Sequence, residues 1–212
     1  MCKPIYIYVQ WEQESLYKFF DFLAVIPQID DLDLAFGISA NAALDSAENF
    51  MKMKDIINWV LNKYGVGKIQ YGVVVFGNTP TVKVRFTQPV NEEQLKNILL
   101  STTQNSGGSN LERALEAVRN LFESSPRPEA KRVLILVTDT QSDSNIEDVK
   151  SSAESLWESQ IKVIPVAFGP EAQPDEIKVT TADEDDLIDA LNNNNTDGIA
   201  KEIMDKALAG MF

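Results

Sequence analysis

Histidine is absent from all 212 residues, and cysteine occurs once, at Cys2. Without histidine there is no Ser-His-Asp or Cys-His catalysis. A disulfide framework and a structural zinc site made of several Cys and His are excluded as well. One cysteine leaves the compartment open, because larger secreted domains can manage without disulfides. Positive charge is also scarce. The 19 Lys and Arg face 32 Asp and Glu, for a formal net charge of -13 and a pI of about 4.4. Nucleic-acid binding draws most of its affinity from cations that neutralise phosphates, and anionic membrane surfaces make the same demand, so both are disfavoured. No apolar run approaches the roughly 20 residues needed to span a bilayer, so membrane insertion is not expected. The first residues do not read as a signal peptide, since Glu12, Glu14, Lys18 and Asp21 interrupt their apolar stretches and no small-residue cleavage site follows cleanly.

What is present is an ordinary globular composition, 44% hydrophobic and 24% charged, with length for one domain and some extra. Residues 1–31 form an N-terminal extension of unassigned role, with an aromatic run, "IYIYVQW", and an apolar-periodic stretch, "SLYKFFDFLAVI". Its apolar side chains are expected to pack on the main domain.

From residue 32 the chain alternates. "LDLAFGI" reads as a short buried strand. Asp45 to Tyr64 carries apolar residues at helical spacing and stops at Gly65. "KIQYGVVVFG" and the alternating "TPTVKVRFTQ" flank a turn at Gly77 to Pro80 and predict a hairpin. Helices are expected at "NEEQLKNILL" and "NLERALEAVRNLFESS", a buried strand at "KRVLILVTD", a helix at "NIEDVKSSAESLWES" and a buried strand at "IKVIPVAFG". "DEIKVTT" reads as a further short strand, and "DEDDLIDALNN" and "TDGIAKEIMDKALAGMF" as two closing helices.

This order predicts an α/β fold: a doubly wound, mostly parallel six-stranded sheet with one antiparallel edge strand and helices on both faces. Such sheets bind ligands outside the carboxyl ends of their strands. The loops to watch are therefore "SANAALD", "SGGSN" and "DTQSDSN".

Together with "DLAFGI", "FMKMKDII", "YGVVVFG", "SGGSNLERAL", "RVLILVTD" and "IKVIPVAFG" in that order, these loops resemble the von Willebrand factor type A domain over residues 32–212. The resemblance implies a Rossmann-like fold and a divalent cation at the top of the sheet. In the family the first loop supplies Asp-x-Ser-x-Ser, the second a Thr and the third an Asp. Magnesium or manganese suits such oxygen donors, with an open position for a partner's carboxylate.

Carried onto this sequence, the pattern is degenerate. Ser109 stands for the Thr and keeps its hydroxyl, and Asp139 is unchanged. Aligning Asp33 with the aspartate that often begins the family's first strand puts Ser39 at the key aspartate, with Asn41 and Ala43 at the serines. A register two residues earlier places Gly37, Ser39 and Asn41 there. The first preserves the distance to Phe50, and neither restores a carboxylate. The metal set is thus Ser39, Asn41, Ser109 and Asp139. Weak or lost affinity for magnesium is the expectation, because a hydroxyl or amide cannot supply a carboxylate's charge. Asp45 or Asp143 are the acids that could substitute.

Simpler readings stand beside these. Asp139 can cap the loop after its strand. Gly107 and Gly108 read as turn glycines, with Ser109 as the cap of the next helix. Gly65, Gly67 and Lys68 lack phosphate-loop spacing and read as a helix stop and turn. "DEDD" at 183–186 reads as a solvated helix first turn. Trp59 and Trp157 read as core. Asn194 to Thr196 is a glycosylation sequon, relevant only in the secretory pathway.

No nucleophile with a base and no paired acids are visible, so an enzyme is not expected. The resemblance implies adhesion or matrix assembly outside the cell, with a protein partner such as collagen or another matrix protein. A structural domain held by its side faces, and a cytoplasmic scaffold of the same family, are the alternatives.

Overall fold

The computed structural model describes residues 31–40, 47–88, 90–103, 108–138, 142–168, 174–190, 193 and 195–209. The N-terminal extension, apart from Asp31, lies outside them.

The first strand, β1 (Leu32–Ser39), is buried along its whole length. It is followed by α1 (Ala47–Tyr64), β2 (Ile69–Phe76) and β3 (Thr81–Val84). Next come α2 (Glu92–Ser101), α3 (Leu111–Glu123), β4 (Lys131–Thr138), α4 (Ile146–Glu158) and β5 (Ile161–Ala167). A short α5 (Pro174–Lys178), β6 (Ile188–Asp189) and α6 (Thr196–Leu208) complete the order. The sheet runs β3-β2-β1-β4-β5-β6. Every pairing is parallel except β2 with β3, the expected hairpin.

Alternation along β1 explains the two cores. Leu32, Leu34, Phe36 and Ile38 point to one face, where α1, α2 and α6 cover them. Ala35 points to the other, where α3 and α4 supply Leu115, Leu121, Phe122 and Leu156. A strand buried on both faces must be largely apolar, and β1, β4 and β5 are, with the charged Asp33, Lys131, Arg132 and Lys162 at their amino ends. Small residues mark close approach: a Cβ on Gly72 would lie 2.7 Å from Leu121 Cδ2 and 3.0 Å from Phe86 Cζ. Trp59 and Trp157 pack partly buried against the two cores. Gly65 closes α1 with φ of 63°, the left-handed geometry its sequence position predicts.

Six strands are present, but the sixth comes from another segment than expected. "DEIKVTT" forms α5 and a turn, in which Thr180 donates to Ile177 O (2.7 Å) and Thr181 Oγ1 to Val163 O (3.0 Å). Those hydroxyls hold the chain curled where a strand would have to extend. "DEDDLIDALNN" contributes only a 3-10 turn at Glu184–Asp186, capped by Asp183. Ile188 then pairs with Val166 and is buried. Burying Ile188 at the edge of the sheet outweighs a helix of four successive acids.

At the amino ends of the strands, buried Asp33 is held by Arg127 and Ser125. Arg127 also donates to Lys68 O at 3.0 Å, so this clamp ties β1 to the loops beneath it.

Candidate functional site

The carboxyl ends of β1, β2 and β4 converge as expected of such a sheet. Ala40 N–H donates to Phe76 O at 2.8 Å, Asn110 N–H to Gly77 O at 3.0 Å and Phe168 N–H to Thr138 O at 2.8 Å. These bonds bring the ends of β1 and β5 beside the two loops that follow β2 and β4.

Ser39 is the last residue of β1, on the face shared with Ala35 and Gly37, and is 1% exposed. Its Oγ is buried and has no hydrogen-bond partner among the described residues. Ser109 is equally buried. Asn41 and Asp139 lie outside the described residues, as do Asp45, Gly107 and Asn194. Of the expected metal set, the structure therefore places Ser39 and Ser109, two neutral hydroxyls. Among the described residues there is no group of three or more His, Cys, Asp or Glu able to hold a metal ion. This part of the donor set fits a divalent ion poorly, because it brings no charge to offset the ion's lost hydration.

The second and third loops bond directly. Asp143 N–H donates to Ser109 O at 2.7 Å, and Ser142 Oγ accepts from Leu111 N–H at 3.0 Å. The Asp143 carboxylate folds back onto the second loop, where a Cβ on Gly108 would run into it. Asn110, not Ser109, caps α3, its side chain accepting from Arg113 N–H at 2.8 Å.

A third element joins them. Glu176, on α5, is buried, and both its oxygens accept from Ser142 N–H, at 3.1 and 3.0 Å. Burial pushes its carboxyl above the usual range, the Ser142 bond opposes this, and the nearby Asp143 charge adds to the rise. Neither Glu176 nor Ser142 was among the sequence candidates. The two are 34 positions apart, and no local pattern marks either.

The family model of the von Willebrand factor type A domain matches residues 38–206. Among solved structures, proximal thread matrix protein 1 from the mussel byssus superposes with a TM-score of 0.75 at 22% identity, covering 84% of this chain and 48% of that one. The same protein with a zinc-occupied MIDAS motif gives 0.76 at 19%, covering 84% and 48%. Manganese-loaded TRAP protein of Plasmodium vivax gives 0.63 at 17% identity, covering 71% and 62%. The chain thus spans about half the length of the mussel protein.

Proposed function

Because the chain belongs to the von Willebrand factor type A family, whose domains generally serve protein interaction, we propose that it is a non-enzymatic binding module recognising a protein partner through the loops at the carboxyl edge of its sheet. Metal dependence is weak or lost. The observation that carries this is Ser39, a buried hydroxyl without a partner among the described residues, which the preferred register sets where the family has its first carboxylate. The direct bonds among Ser109, Ser142 and Glu176 support it, since they hold the loops together without an ion. A matrix setting outside the cell is the reading that the mussel byssus matrix protein favours, and collagen or another matrix protein is the partner that the family resemblance suggests.

A second reading rests on Asp143, whose carboxylate against Gly108 is near enough to the second loop to serve as a replacement ligand. Isothermal titration of magnesium, manganese and calcium into chelator-stripped protein separates the two. No binding up to millimolar concentration is expected. Millimolar or tighter binding that disappears in both Asp139→Ala and Asp143→Ala would establish the second reading. Collagen binding is then measured for Ser109→Ala and Asp139→Ala. Loss supports recognition by these loops, and unchanged binding moves recognition to the side faces.

A further inference from the structure

The opposite end of the sheet carries an apolar groove that the proposed binding face does not use. β2 runs from Ile69 to Phe76, yet β3 pairs with it only over Val73 to Val75. On that side no described strand pairs with Ile69 to Gly72. Beside this uncovered edge lies a pocket of about 430 Å³. Val66, Ile69, Tyr71, Phe86, Val90 and Pro126 supply its apolar walls.

Val66 is 44% exposed, one of the few large apolar side chains among the described residues left in water. The backbone holds it there. Gly65 and Gly67 on either side have φ of 63° and 144°, which an L side chain rarely adopts. Tyr71 Oη donates to Gly65 O at 2.8 Å and pins the turn. The turn thus presents Val66 to solvent beside an apolar pocket, an arrangement that costs free energy unless something covers it.

The chain itself supplies a segment of matching chemistry close by. Residues 1–30 lie outside the described residues, and the chain enters the structure at Asp31. Leu32 N–H donates to Lys68 O at 3.1 Å, one residue from Gly67 in the pocket wall. Arg127, next to Pro126 in the same wall, pairs with Asp31 at 3.9 Å. Just upstream in the sequence, Phe19, Phe22, Leu23 and Ile26 recur at helical spacing. Pro27 to Asp30 then make a tether of at most roughly 14 Å. So short a tether sets an effective concentration on the order of millimolar, at which even weak apolar contacts are populated. The pocket on the β4 side of the entry point is lined by Glu129, Lys131, Arg132 and Lys162 and does not match these side chains.

We propose that residues 16–26 dock in this groove, with Phe22 and its apolar neighbours against Val66, Ile69 and Val90. The extension is then part of the folded unit, anchored at the far end of the sheet from the binding loops and leaving them uncovered.

The test is NMR of the full-length chain carrying methyl-labelled valine and ring-labelled phenylalanine. Through-space contacts from the Val66 and Val90 methyls to the rings of Phe19 and Phe22 are expected. Thermal melts add a second readout. Phe22→Ser and Val66→Ser should each lower the melting temperature by a few degrees, and the double variant should lose clearly less than their sum. Leu100→Ser, at an exposed leucine outside the groove, should add in full to Phe22→Ser. Absence of ring contacts at both methyls, or simple additivity of Phe22→Ser with Val66→Ser, would overturn the proposal and leave the groove to a separate partner. Contacts seen only between differently labelled chains in a mixed sample would assign the groove to a second copy and overturn it as well.

Discussion

At the scale of the residue, the proposed weakness or loss of metal dependence rests on Ser39. Its Oγ is buried without a partner among the described residues. Ser39→Asp would place a carboxylate there with no counter-charge, at a cost of about 3 kcal/mol. The variant should melt well below the parent in chelator and recover on adding magnesium or manganese. Thermal denaturation with and without the ion checks this. A variant that stays destabilised in saturating metal would show that more than one ligand has been lost.

Glu176 carries a pH dependence of definite sign. Its folded-state pKa is raised above the ordinary 4.5, chiefly by burial. The folded state therefore favours the protonated form. The corresponding stability is fully present below the unfolded value and is lost as pH rises through the folded value. Glu176→Gln keeps an acceptor for Ser142 N–H and removes the titration. Urea unfolding at pH 4 and pH 7 should show the variant gaining on the parent as pH rises. A difference that does not change with pH would remove Glu176 as a titrating group.

At the scale of the element, close packing of α3 on β2 depends on Gly72, over which Leu121 and Phe86 lie. Both neighbours are buried, so they have little room to yield. Gly72→Ala should cost about 1–3 kcal/mol, the usual range for overpacking a core, without altering any loop of the binding face. Chemical denaturation measures the loss, and a neutral result would mean that Leu121 changes rotamer freely.

The elements also show where local pattern is and is not enough. β1, β4 and β5 were legible because strands covered on both faces must be largely apolar. The segment from Asp175 to Asp189 was not. Its short α5 and two-residue β6 depend on what β5 offers: Val163 O for the hydroxyl of Thr181, and Val166 as partner for Ile188. Such short elements have too few residues to show a period.

At the scale of the whole molecule, a net charge of -13 repels itself in the folded state. Raising sodium chloride from 10 to 150 mM should raise the melting temperature by a few degrees, on the order of 1 kcal/mol, as the Debye length shrinks to about 8 Å. Magnesium chloride at matched ionic strength should do no more than sodium if no ion site is formed. A distinctly larger rise with magnesium would point to specific binding.

From residues alone came the exclusion of histidine chemistry, the alternating α/β order, the resemblance to the type A family and the missing first carboxylate. Composition and period determine these, because each is a property of neighbours along the chain. Tertiary structure alone decided that Ser39 is left without a partner among the described residues, that Glu176 reaches Ser142 across 34 positions, and that Asp143 folds onto Gly108. Burial, desolvation and hydrogen bonding between distant residues depend on what the fold brings together, and no local pattern encodes them.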